Sequence, residues 1–366
     1  MATGSVEHDS PPPLGESGGT RSSRRLFRCF DDCDEVGEFY GSQAGVEFTQ
    51  LNTGPFRGAI TRLELGDLRV HHTVTSGRTF ARTRFHDDYL YFSVPVSAQE
   101  LAADGKTVSQ LEVFQHPRAD DLLRLGRDVE GVNVAVPKDR LLRDAAALAG
   151  MPDEPVLLET RSLDRSSLAT RQFTDLVLDF AQHARRNASI LSLVEHQEAL
   201  RRQFEQAVLH LLVHQIGVRD EPPPPPGSRK KIVLHAEQVL EEAEGRPVSL
   251  AELCRAARVS ERTLRYAFQE LCGVSPQRYM QIQRLRAAHR ALRQSDGSRG
   301  SVKVAAYQVG FRELGRFSVQ YRQFFGESPS ETLMRRVSPG PIGIEEHARA
   351  SQAARAEGDS AAPVAE

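Results

Sequence analysis

The 366-residue sequence has no tryptophan, only four cysteines and no long apolar run. Each absence closes a class. Nothing approaches the ~18 consecutive apolar residues that a membrane span needs. The opening stretch, MATGSVEHDSPPPLGESGG, lacks the apolar centre of a secretory leader. A cytoplasmic protein with no membrane partner is expected. Cys29, Cys33, Cys254 and Cys272 form no Cys-x-x-Cys pair, so they read as reduced, packed thiols. No phosphate-loop or dinucleotide-binding pattern is present. Catalysis is not expected, and no cofactor or metal is assigned.

Candidate metal ligands are sparse. His71 and His72 are adjacent, so on a strand they face opposite sides and cannot share an ion. His210 and His214 lie one helical turn apart but lack a third ligand. Asp31, Asp32, Asp34 and Glu35 lack the glycine and spacing of a calcium loop and read as a solvated surface.

Net charge is also small, −2, but it is unevenly distributed. Residues 227–337 hold 20 Lys+Arg against 11 Asp+Glu, a net of +9. The remainder carries the balancing acid. One basic domain facing a polyanion, beside one acidic domain with another task, is the expectation.

Punctuation divides the chain. Residues 1–24 and 338–366 are polar tails expected to be disordered. Five consecutive prolines, 222–226, lie in a 220–228 linker that no helix or strand can cross. The 25–219 region begins with alternating, β-branched stretches. FRGAITRLEL (56–65) and LRVHHTVTS (68–76) flank Gly66-Asp67. RTFARTRFH (78–86), YLYFSVPV (89–96), TVSQLEVF (107–114) and VNVAVP (132–137) follow. Strands at this spacing predict a sandwich or barrel. After Pro137 the period turns helical, with a helix ending at Gly150 and two longer ones at about 163–185 and 189–216. On the last, Leu200, Phe204, Val208 and Leu211 form a stripe, assigned as a dimer interface with the alternative that the helix covers its own barrel.

Past the linker each helix marks its own ends. KKIVLHAEQVLEEAEG stops at Gly245. Ser249 with Glu252 predicts a capping box, Ser260 caps the next helix, and Gly273 stops it. Ser275-Pro276 restarts the chain for a helix to about Gln294. Then the phrase recurs: Ser301 as cap, a turn at Gly310, a stop at Gly326, and a restart at Ser328-Pro329. Cys254, Val259, Leu264 and Phe268 correspond to Ala306, Phe311, Phe317 and Tyr321. These eight are the expected cores of two helix-turn-helix units, in which the second helix enters the major groove of DNA.

The stretch from SLAELCRAARVSERTLRYAFQELCGVSPQRYM to FGESPSETL resembles the DNA-binding domain of the AraC family of bacterial transcription regulators. The resemblance covers 229–337. It rests on the Gly-x-Ser-Pro restarts, the Arg284–Leu292 stretch and Gly310-Phe311. Arg258 departs from the family, standing in a turn where glycine is common. The resemblance implies that Arg262, Arg265 and Tyr266 read bases in one groove. Leu314, Gly315, Ser318 and Val319 read thymine methyls or groove shape in the next, and Arg312, Arg316 and Arg322 hold phosphates. The 25–219 half is similar to the family's cupin-like sensing domains. The implied fold is α+β multidomain: a cupin-like β-barrel with a helical dimerisation segment, then an all-α double helix-turn-helix domain. The implied function is an effector-responsive activator of transcription, with double-stranded DNA, a small-molecule effector, RNA polymerase and a second copy of itself as partners. The competing expectation is a cupin-type metalloenzyme fused to a DNA anchor.

Overall fold

A computed structural model describes residues 24–40, 44–116, 121–151, 158, 161–186, 190–216, 228–243, 245–298 and 300–335. The proline run and nearly all of both expected tails lie outside them.

The N-terminal half is a ten-stranded antiparallel sheet. Its strands are β1 (Arg24–Phe30), β2 (Ala44–Gln50), β3 (Gly58–Leu65), β4 (Leu68–Phe85), β5 (Tyr89–Ser97), β6 (Glu100–Ala103), β7 (Lys106–Thr107), β8 (Phe114–His116), β9 (Asp121–Pro137) and β10 (Arg161–Ser162). Helix α1 (Cys33–Tyr40) lies between β1 and β2. β1, β2, α1 and the first half of β9 were not expected from the sequence.

The two strands expected at 68–76 and 78–86 are one, β4, of 18 residues. Gly77 does not end it. Its φ of +73° makes a bulge, and the register with β9 shifts between Thr75 and Arg78. A side chain there would collide with Asn52, 2.5 Å from an ideal Cβ. The bulge bends β4 so that its first half pairs with β3 and its second with β2, while β9 follows along both. The sheet thereby curls round a cavity. The strand expected at 107–114 is instead mostly loop. Ser109 and Glu112 close a turn, and Leu111 takes φ +60° to donate its N–H to Pro95 O at 2.7 Å.

The outer face of the sheet is covered by α2 (Lys138–Leu148), α3 (Leu168–Arg186) and α4 (Val194–Ile216). Here the stripe finds its place. Leu200, Phe204, Val208 and Leu211 are buried in the single chain, and the ring of Phe204 lies 6.1 Å from Phe180 and 6.5 Å from Phe173. The dimer-interface assignment is therefore corrected. These side chains are spent on the chain's own sheet and helices, and their apolar area is already removed from water. His210 and His214 lie exposed on the opposite face.

The C-terminal half is helical: α5 (Ser228–Glu242), α6 (Leu250–Ala257), α7 (Glu261–Leu271), α8 (Pro276–Gln294), α9 (Ser301–Gln308), α10 (Leu314–Phe325) and α11 (Pro329–Arg335). No helix among the described residues is long and apolar enough to cross a membrane. The two halves share a core: Leu51, Phe80, Leu123 and Leu125 of the sheet join the helical cluster, and Phe80 meets Tyr279 edge-on at 5.8 Å.

Candidate nucleic-acid interface and barrel cavity

The helical units are built by local chemistry. Ser249 accepts from the Glu252 N–H while Glu252 accepts from the Ser249 N–H, completing the capping box. These bonds hold the Glu252 carboxyl down at about 2. Ser260 and Ser275 cap α7 and α8, each accepting from the N–H three residues on. Ser328 and Glu331 form a second box on α11. Ser301 is the exception. It is the first residue of α9, Gly300 is the cap, and the Ser301 hydroxyl donates to Ser298 O at 2.7 Å.

Each unit turns between its helices through a left-handed residue. In the first this is Arg258, at φ 54° and ψ 42°, a conformation costing ~1 kcal/mol more for arginine than for glycine. In the second it is Gly310 at φ +81°, where an added Cβ would lie 2.2 Å from Pro247. Leu264, Phe268, Ala306, Phe317 and Tyr321 are fully buried, and Phe311 nearly so. Cys254 and Val259 are half-buried and pack on the margin of that core. α8 binds the units together through Tyr279, Ile282, Leu285, Ala288 and Leu292.

The opposite faces of α7 and α10 are open. Arg262, Arg265 and Tyr266 are exposed on α7. Arg262 lies over the Tyr266 ring at 5.6 Å, and Arg265 pairs with Glu261 one turn back at 2.8 Å. On α10 Gly315 and Val319 are exposed and Leu314 and Ser318 half-buried. Arg312, Arg316 and Arg322 are exposed around them. Every reading position inferred from the sequence is thus on a helix whose other face is core.

A family model described as a helix-turn-helix domain matches residues 253–335. The probable thc operon regulatory protein of Rhodococcus erythropolis is 37% identical over 102 residues, 28% of this chain and 31% of that protein. The XylDLEGF operon transcriptional activator of Pseudomonas putida is 35% identical over 96 residues, 26% of this chain and 30% of that one. A solved probable AraC family transcriptional regulator from Rhodopseudomonas palustris is 35% identical, covering 29% of this chain and 96% of that chain, with a TM-score of 0.25. The chain belongs, through this domain, to the AraC family. The chain spans under a third of the length of these two curated relatives.

In this AraC-family chain the sheet half grips the DNA-binding half closely. Asp31, Asp32, Asp34 and Glu35, expected to be solvated, face the basic side of α8. Arg286 is buried, donating to Asp34, Thr49 and, at 2.6 Å, Phe48 O. Arg290 reaches Asp34 at 2.9 Å, Arg293 pairs with Glu35 and Asp32, and His289 lies 3.3 Å from Asp32. Burial opposes ionisation of Asp32, yet His289 and Arg293 hold it at about 2. A second seam joins Arg82, held within its own sheet by Asp121 at 3.1 Å, to Glu241 at 2.8 Å, and Lys230 to Asp104 at 2.8 Å. The signal for the first seam was present in the sequence. Arg286, Arg290 and Arg293 recur at steps of four and three, one basic helix face, beside an acidic run of matching size.

Those seams bear on the metalloenzyme expectation. Among the described residues, the one group of three potential ligands close enough to share an ion is Asp32, Cys33 and Asp34. Its carboxylates are already held by cations, and burial pushes the Cys33 thiol up to about 12. His72 is committed to Glu130 at 2.7 Å.

The residues that line the cavity inside the curled sheet were not foreseen. Tyr40, Val46, His71, Thr83, Phe85, Tyr91, Ser93, Leu122, Arg124, Asn133 and two alanines line it. It touches both halves of β4 and β9, and α1 closes one side with Tyr40. Inward parity on a strand was the only available hint for Arg124, which alternates with buried leucines in DLLRLG.

Proposed function

We propose that the chain is a transcription regulator that reads DNA with two helices of one polypeptide and answers to a small molecule held in its sheet domain. The observation that carries the reading is the pair of helix-turn-helix units, each with a buried core face and an open recognition face, joined by α8. The first unit offers arginines suited to guanine, and the second a small, apolar face suited to thymine methyls and groove shape. Arg312, Arg316 and Arg322 supply phosphate contacts. Because α8 joins the two units, two successive grooves lie within the reach of one chain. The XylDLEGF relative is named an activator, which favours activation and contact with RNA polymerase over repression. Such work belongs in the cytoplasm.

The test is selection of random duplexes by the purified intact chain, followed by affinity measurements. An enriched sequence with two contacted segments about one helical turn apart is expected, with guanine in the segment protected by α7. Recovery of no enriched sequence at low salt overturns the reading.

A further inference from the structure

The cavity's polar lining is of two kinds. One side is satisfied internally: Ser93 donates to Asn133 at 2.8 Å, and Tyr40 shares hydrogen bonds with Thr73 and Asn133. The other side is not. Thr83 Oγ1 and His71 Nε2 are buried without a hydrogen-bonding partner, and both residues line the cavity. Beside them stands Arg124, which makes no ion pair with any described carboxylate. Burial pulls its pKa down, and the Tyr40 hydroxyl counteracts this. His71 is kept neutral, since burial and then the charges of Arg62 and Arg69 take its pKa to about 3.

A guanidinium turned into a pocket without a counter-ion is costly, as are orphaned buried hydroxyl and imidazole groups. Natural interiors pair such groups, so the set has the form of a recognition site. One fixed positive charge fits one negative charge, and a guanidinium fork matches a carboxylate. The remaining walls, Val46, Phe85, Leu122 and Ala135, are apolar. The cavity measures about 30 Å³. One water needs roughly 10–15 Å³ on that measure, so the room suits a body of few heavy atoms.

We propose that the cavity binds a short-chain monocarboxylic acid, its carboxylate on Arg124 with Thr83 and His71 as further hydrogen-bond partners, and its alkyl end among Val46, Phe85 and Leu122. This deepens the effector reading above and rests on it. A dianion such as phosphate would leave one charge unmatched in an apolar chamber, and a sugar would leave Arg124 unmatched.

Thermal melts and calorimetry of the intact chain at pH 7, in a carboxylate-free buffer, test the assignment. Sodium propionate and butyrate are compared with propionamide, butyramide and sodium chloride at equal strength. The acids are expected to raise the melting midpoint and to bind about tenfold or more tightly than the amides, the usual margin of a charge-assisted hydrogen bond. Arg124→Gln should abolish the response to acid without lowering the midpoint of the free protein, because it removes a half-buried charge with no counter-ion among the described residues. Thr83→Val, close in shape, should weaken the acid severalfold and serves if the first variant does not fold. Amides binding as well as acids would overturn the carboxylate class and leave the cavity an effector site. A full response to acid in Arg124→Gln would also overturn it. If neither acids nor amides bind, the class and the effector reading of the cavity fall together.

Discussion

Glu237 shows how a single residue couples stability to pH. It is buried on α5 with its carboxyl accepting from the Tyr279 hydroxyl and 3.7 Å from Arg82. Burial raises its pKa to about 7, although Tyr279 and Arg82 pull the other way. A carboxyl whose folded pKa exceeds its unfolded value binds more protons when folded, so stability falls as pH rises from about 4.5 to about 7. Glu237→Gln keeps the acceptor for Tyr279 and cannot ionise. It should flatten that slope and stabilise the protein at pH 8 by up to about 3 kcal/mol. Denaturant melts at pH 5 and pH 8 check this, and equal slopes in both proteins would contradict it. At the reading surface, Arg265→Ala should cost ~1–3 kcal/mol on the selected site and little on other duplexes. Arg316→Ala should weaken all duplexes alike and lower the salt slope by about one phosphate. Competition assays at two salt concentrations separate the two, and a reversal of the patterns would exchange the roles of α7 and α10. These surface residues were legible because helix periodicity puts them opposite Leu264, Phe268, Phe317 and Tyr321. Glu237 and Arg124 were not, since the groups that perturb them come from distant strands.

At the scale of elements, the helices past residue 228 were legible to within a few residues. Their signals are local: a serine cap, a glycine stop, a proline at the first turn. Strands depend on partners elsewhere. Gly77 has the marks of a turn, yet Asn52 and Asp128 hold it inside β4 as a bulge, and neither contact can be read from neighbouring residues. The stripe on α4 carried the same ambiguity, because an apolar helix face does not say whether its cover is another chain or the same one. Its burial sets a direct test. Phe204→Ala should destabilise the sheet half by ~3–5 kcal/mol, the cost of a large cavity in a packed core. A drop in the melting midpoint with no change in mass by light scattering is expected. A stable protein that changes only its oligomeric state would restore the interface assignment.

Across the whole molecule, the opposed charges of the two halves serve more than DNA. Part of the acidic excess is applied to the basic face of α8, where Asp34 holds the buried Arg286. The α1 helix that carries this carboxylate also lends Tyr40 to the cavity wall, so one short helix touches both the chamber and the DNA-binding half. Asp34→Ala leaves Arg286 buried without its carboxylate and should cost about 3 kcal/mol or more. Limited proteolysis should then cut between the halves faster than in the parent chain, and unchanged cleavage would contradict the coupling. The two halves also share one core. A fragment starting at Ser228 loses Phe80, Leu51, Leu123 and Leu125 from its packing and should melt below the intact chain. On this reading the open faces of α7 and α10 distinguish one duplex sequence from another. The most direct measurement is the affinity of the intact chain for its selected duplex and for a scrambled one of equal length, at physiological salt. The selected duplex is expected to bind at least ~10³-fold tighter, with Arg262→Ala and Arg265→Ala narrowing that ratio. Equal affinity for the two duplexes would contradict it.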